Sequence, residues 1–310
     1  MPFKSSHLLY WLPAFLLLTA ASCQDMSQDD CFPFIVCDPS ADSTDLRIWE
    51  WAEITLPAYE WPGGTAFGDG LFVDVAYDTA GVSIEGDKMR FQINPKFPQT
   101  PANAPSPHNY RAEIHTMPWE IQHPLGTEQW MGWRYTFGAD YEVDAASPIT
   151  IFQNHPGVRG LSPQLELELA AFNNPPPAGG GEIQLVNEAN RIRKILPVRP
   201  KAGTEIDIVL HVIYGVGEQG LLQLWIDDVL YHSERGSTVY TDHPFGGNNK
   251  WGIYHHTFNN QPERVQRSIN GGAGSFTLYM SPLRMLTRSP GHLEYGTNAY
   301  HFVDPKNSDQ

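Results

Sequence analysis

Three short stretches of this chain carry side chains suited to proton transfer beside a carboxylate. They are Arg111-Ala112-Glu113-Ile114-His115, Gln153-Asn154-His155 and Lys250-Trp251-Gly252-Ile253-Tyr254. Successive side chains on a strand point to opposite faces. Arg111, Glu113 and His115 therefore share a face, as do Gln153 with His155, and Lys250 with Gly252 and Tyr254. Arg111 and Lys250 bring positive charge, and the Gln153 amide can bind a carboxylate without adding full charge. His115 and His155 bring rings that titrate near neutral pH, and Tyr254 brings a phenol. Gly252 leaves room for a ligand to approach the backbone. Each motif alone has a plain structural explanation. The first suits a solvated face with an Arg111–Glu113 pair, the second a strand end bound to loop backbone, and the third a snorkelling lysine beside a core tyrosine. Their occurrence in one chain supplies an acid, a base and carboxylate partners, which is what elimination next to a carboxylate requires.

Positioning these groups takes strands, and strand patterns dominate from Leu46 onward. Leu71 to Tyr77, Met89 to Ile93 and Gln164 to Leu169 alternate polar with apolar, as do parts of Glu205 to Ile213 and Leu222 to Ile226. Ser275 to Met280 closes the series. This period of two predicts one wet and one buried face. Gly and Pro clusters such as Pro175-Pro176-Pro177-Ala178-Gly179-Gly180-Gly181 separate the strands. No long segment combines helical periodicity with caps, and no internal repeat is visible. The expectation is an all-β fold, a jelly roll sandwich of two antiparallel sheets, in one domain over residues 46–310. The tail from His292 holds aromatics without a pattern.

The 310 residues are 41% hydrophobic, enough for a large core, and the net charge is −15. That charge argues against nucleic acid as a partner. Residues 1–23 read as a signal peptide: Lys4, an apolar run from Leu8 to Leu18, then Ala20-Ala21-Ser22 before Cys23. Cys23 after small residues resembles a bacterial lipoprotein box, which implies an exported, lipid-anchored surface protein. Ordinary cleavage near Ser22 would give a secreted one. Membrane contact is expected only through that anchor. Residues 24–45, rich in Asp and Ser, read as a linker. Cys31 and Cys37 suit a small structural disulfide in an exported chain.

The ordered set of motifs resembles the jelly-roll polysaccharide lyases, which include alginate lyases, glucuronan lyases and heparin-lyase-like enzymes. Those families show an Arg-x-Glu strand, a Gln-x-His strand and a Lys-x-Gly-x-Tyr strand lining one groove. Glu128 to Tyr135, Ile206 to His211 and Gly220 to Asp228 add to the likeness, which spans roughly residues 70–290. Ile114-His115 stands where alginate lyases usually carry a Leu-Arg pair, so the resemblance implies a glucuronate polymer, glucuronan or ulvan, rather than alginate. It makes His115 an active-site candidate. The implied reaction is β-elimination. Gln153, His115 and Arg111 would hold the uronate carboxylate, Tyr254 or His155 would take the C5 proton, and Tyr254 would protonate the departing O4. Lys250 and Arg111 would favour the phenolate.

For flanking sugars, the basic run Arg191, Arg193, Lys194, Arg199 and Lys201 is the candidate, with Arg191 and Arg193 expected on one strand face. A solvated strand edge would explain the same run. Trp130 is a candidate stacking platform, with burial as the alternative for it, Trp133 and Trp251. No cofactor is required by this chemistry, though the resemblance allows a structural calcium. A monomer acting on an acidic polysaccharide is expected. Two rival functions are a non-catalytic glycan-binding surface lipoprotein and a laminarinase-like glycoside hydrolase using Glu205-Ile206-Asp207, whose next acidic position is missing.

Overall fold

The structure, a computed structural model, describes residues 45–56, 65–68, 70–75, 81–96, 110–116, 122–144, 146–171, 180–258 and 261–309. The expected signal peptide, the linker up to residue 44, Cys23 and the Cys31–Cys37 pair lie outside them. The described strands are β1 (Asp45–Trp49), β2 (Thr65–Phe67), β3 (Leu71–Val75), β4 (Gly81–Glu85), β5 (Lys88–Ile93) and β6 (Tyr110–Thr116). There follow β7 (Glu128–Phe137), β8 (Ile149–His155), β9 (Leu165–Leu169), β10 (Ile183–Asn187), β11 (Ile192–Ile195) and β12 (Glu205–Ile213). The last are β13 (Leu221–Ile226), β14 (Val229–Arg235), β15 (Asn248–His255), β16 (Phe276–Met280) and β17 (Leu283–Arg288).

Two antiparallel sheets face each other, as the alternating patterns require. The larger runs β14-β13-β12-β7-β16-β5-β4, with β17 pairing to both β7 and β1; the smaller runs β11-β10-β9-β8-β15-β6-β3-β2. The apolar set of each strand meets its counterpart between the sheets. Met89, Phe91 and Ile93 of β5 join Ile114 of β6, Trp133 and Tyr135 of β7, and Trp251 of β15 in one core. This is the jelly-roll sandwich that the sequence leads one to expect.

Two features depart from the sequence reading. Residues Pro262–Asn270 form a helix, α1, opened by its proline. The tail also has a definite job. It forms a short helix, α2 (Tyr300–Val303), over the outer face of the larger sheet, where Ala299 and Val303 pack with Trp130, Val209 and Leu286. A side chain at Gly132 would collide with the Val303 carbonyl, so that glycine admits the tail. Arg288, buried, holds the approach by donating to the Glu294 carbonyl at 2.8 Å.

Candidate active site

The three motifs fold onto adjacent strands of the smaller sheet. β15 lies between β6 and β8, and the register sets Lys250 between His115 and Gln153, and Tyr254 between Arg111 and Thr150. Arg111, Glu113, His115, Gln153, His155, Lys250 and Tyr254 thus occupy the sheet face turned away from the core. Tyr254 is only 9% exposed, yet it belongs to neither hydrophobic cluster.

Two irregularities bring the rows into line. The pairing of β15 with β8 shifts between Trp251 and Tyr254, and that of β8 with β9 shifts between Thr150 and Phe152. Ile151 and Phe152 are consecutive core residues, which is what a bulge produces. Gly252 sits in the same stretch at φ 131°, and a Cβ there would lie 2.3 Å from the Ala112 carbonyl oxygen. Tyr135 reaches across from the larger sheet to satisfy the disturbed backbone. Its hydroxyl donates to the Ile151 carbonyl at 2.6 Å and accepts from the Gly252 N–H at 3.2 Å.

Charge on this face is organised around Asp74, on β3 and opposite Glu113 in register. Its carboxylate accepts from Arg111 Nη1 at 2.5 Å and from Lys250 Nζ at 3.3 Å. Burial pushes the Asp74 pKa up, but Arg111 and Lys250 outweigh it and hold the carboxyl well below its usual range. Arg111 Nε also lies 3.0 Å from Glu113 Oε2, an ion pair without the angle of a hydrogen bond. Gln153 donates to the other Glu113 oxygen at 2.6 Å. Burial raises the Glu113 pKa, opposed by Arg111 and Lys250, and burial lowers that of Lys250, which has no exposed surface. The Arg111 guanidinium carbon stands 4.2 Å from the centre of the Tyr254 ring. His115 stacks on Phe72 with ring centres 5.4 Å apart.

His155 is bound on its own loop. Its Nδ1 accepts from the Gly157 N–H at 3.1 Å. Burial first, then the positive Lys250 and Arg111, drive its pKa down to about 3, against a hydrogen bond to the Leu161 backbone. The ring is therefore neutral, with Nδ1 engaged as an acceptor and its proton on Nε2. In that tautomer Nε2 is a hydrogen-bond donor.

The sequence reading gave no role to four residues on this face. Asp74 stands in a lone alternating strand that carries no motif. Glu166 and Glu168 of β9 were expected on a wet face, yet they are 6% and 3% exposed. His256 follows β15 directly; its ring centre is 6.1 Å from that of Tyr254. Burial, Arg193 and Arg264 bring the His256 pKa down to about 4.

The flanking-sugar candidates divide. Arg193 faces Glu168 at 4.0 Å and pairs with Glu188 on the polar face. Arg191 does not share its strand: it sits before β11 in the left-handed conformation, φ 56°, ending the turn at residues 188–190. Lys194 opposes the core residue Leu185 in register, and its Nζ donates to the Tyr231 carbonyl on the other sheet at 2.7 Å. The alternation that turns Arg193 to the polar face turns Lys194 away from it. Trp130 is no platform. It is 2% exposed beneath the tail on the opposite sheet, stacked on His211 at 3.8 Å. Trp133 and Trp251 are core.

Residues 78–269 match the family model described as "Polysaccharide lyase", more than half of the chain. The chain belongs to the polysaccharide lyase family. No curated protein matches it. Among solved structures, this lyase is similar to an endo-β-1,4-glucuronan lyase from the fungus Trichoderma reesei, at 15% identity over 75% of this chain and 92% of that chain, with a TM-score of 0.49. It is also similar to alginate lyase AlgAT5 from polysaccharide lyase family 7, at 12% identity over 68% of this chain and 84% of that chain, with a TM-score of 0.45. Membership of the family makes the chain an enzyme and removes the hydrolase and the non-catalytic binder as readings. The carboxylates of the hydrolase reading lie on the other sheet, Glu205 paired with Lys88 at 3.2 Å and Asp207 with Arg134 at 2.6 Å.

Proposed function

We propose that this lyase cleaves a glucuronate-containing polysaccharide, of glucuronan or ulvan type, by β-elimination at the face built from β6, β15 and β8. The observation that carries the reading is the register that sets Tyr254 beside Arg111 and Lys250 between His115 and Gln153. Removing the C5 proton of a uronate puts negative charge on its carboxylate, which must be met by dipoles and charges already in place. Among the described residues the Gln153 side chain makes one hydrogen bond, to Glu113. Its second amide hydrogen, with His115 beside it, meets the substrate carboxylate. The Tyr254 phenolate takes the C5 proton, the C4–O4 bond breaks as the C4–C5 double bond forms, and the phenol returns its proton to O4. Arg111, over the ring, is the counter-charge for that oxygen. The His155 tautomer favours Tyr254 as the base. No step needs a redox cofactor or a catalytic metal. His115, at the position where alginate lyases carry arginine, supports glucuronate over alginate.

The test is ultraviolet absorbance of the unsaturated product from purified glucuronan, ulvan, heparin-like chains and alginate. Glucuronan or ulvan should give the fastest rise, and Tyr254→Phe should lose at least about a thousandfold in kcat while keeping the fold. Full activity in that variant would end the assignment; alginate as the best substrate would end the specificity. Export, with lipidation at Cys23, is proposed with this function, because the polymer lies outside the cell. Metabolic labelling with a fatty acid, lost in Cys23→Ala, tests it.

A further inference from the structure

We propose that Glu166, Glu168 and His256 form a binding site for a divalent first-row metal ion on the polar face, beside Tyr254. One ligand atom from each lies within 4.8 Å of the others. Glu166 and Glu168 are two apart on β9 and so project together. Thr150 is opposite both Glu168 and Tyr254 in register, and the chain leaving β15 carries His256 across to it, with Nδ1 3.3 Å from the Thr150 hydroxyl.

The second observation is Glu168 itself. Though 3% exposed, its side chain meets the described residues through two long ion pairs and no hydrogen bond. Its nearest basic atoms, His256 Nδ1 at 3.8 Å and Arg193 Nη1 at 4.0 Å, are beyond hydrogen-bond reach. Among the described residues the Glu166 side chain accepts only a long hydrogen bond, 3.4 Å, from the Thr150 hydroxyl. Buried carboxylates are otherwise paired, hydrogen-bonded or bound to metal. Here two lie side by side, each with an oxygen within 4.8 Å of one imidazole nitrogen.

Metal–oxygen and metal–nitrogen bonds of about 2.1 Å place donors on one ion some 3–4 Å apart, so a small inward rotation completes the site. Two carboxylate oxygens and one imidazole nitrogen suit Mn²⁺ or Zn²⁺ better than Ca²⁺, which takes oxygen ligands. The ion would neutralise the two carboxylates and so remove local negative charge. For a chain of net charge −15 that must hold a polyanion, a consequence that rests on the function proposed above, this favours the sugar flanking the cleaved bond.

The experiment is calorimetric titration of chelator-treated full-length protein with MnCl2 and, separately, ZnCl2. Tight binding of one ion is expected, weakened at least about tenfold in Glu168→Gln and in His256→Ala, with a higher melting temperature for the loaded wild type only. Circular dichroism shows that each variant is folded. Absence of binding, or equal affinity in Glu168→Gln, overturns the site; the latter would place the ion elsewhere, for instance on cysteines. Neither readout uses catalysis. A protein that binds the ion but leaves every polyuronate intact refutes the proposed function and leaves the metal site standing.

Discussion

Asp74 decides how the charged residues of this face coexist. Lys250 has no exposed surface and Arg111 little, so both need a counter-charge, and one carboxylate oxygen serves the two at 3.3 and 2.5 Å. Removing one partner of a buried pair leaves the other charge uncompensated, which costs more than the pair itself was worth. Asp74→Asn is therefore expected to destabilise the fold by about 3 kcal/mol, measured by urea unfolding. It should also lower kcat about tenfold or more with KM little changed, because Asp74 acts through Arg111 and not on the sugar. An unchanged kcat would show that Arg111 needs no such support. The six residues offered as catalytic from the sequence do fall on one face, because three motifs of the same parity made that testable. Asp74 was hidden because one acid in an alternating strand has no local mark; only the neighbouring strand reveals what it balances.

At the scale of elements, strands were legible wherever alternation held, and most of the sandwich followed from them. What alternation cannot encode is a bulge. Ile149-Thr150-Ile151-Phe152 reads as an apolar run, and nothing local says that Ile151 and Phe152 both turn inward so that Thr150 and Gln153 share the outer face. Nor does it say that a tyrosine on another sheet closes the gap. The tail showed no pattern, and Trp130 was offered as a stacking platform, for a related reason: a sheet face covered by a distant segment looks like an exposed one. The bulge yields a test. Tyr135→Phe leaves the Gly252 N–H without its acceptor and the Ile151 carbonyl without its donor, both buried. Each unsatisfied group costs about 1–3 kcal/mol, so a loss of roughly 2–6 kcal/mol is expected by urea unfolding. If the hydroxyl also sets the register of Tyr254, kcat falls while KM holds. A stability loss with unchanged kcat would restrict Tyr135 to the fold. Gly252→Ala should be worse, since both its φ and its contacts forbid a Cβ.

For the whole molecule, the buried polar layer sets the response to acid. Burial holds His155 and His255 down to about 3, and His123 and His256 to about 4, against an ordinary value of 6.5. Below pH 6.5 the unfolded chain takes up these protons and the folded chain does not, so stability is lost as pH falls. Glu113, Glu166 and Glu168 act in the opposite sense. Burial raises their pKa values, so the folded chain takes protons before the unfolded chain does, and stability is gained on acidification down to the ordinary value of 4.5. The two effects offset each other between about pH 6.5 and 4.5. Below that window the carboxyls give nothing more, whereas the histidine deficit persists. Asp74, held low by Arg111 and Lys250, adds to the loss. His155 and His255, 8% and 3% exposed, together contribute a slope of about 3 kcal/mol per pH unit at about 1.4 for each proton. Urea unfolding at several pH values should thus give a shallow dependence down to about pH 4.5 and a steep fall beneath it. Replacing His255 by glutamine, which does not titrate, should flatten the fall by about one proton. A protein that stayed equally stable to pH 4 would mean that these rings can be charged where they sit.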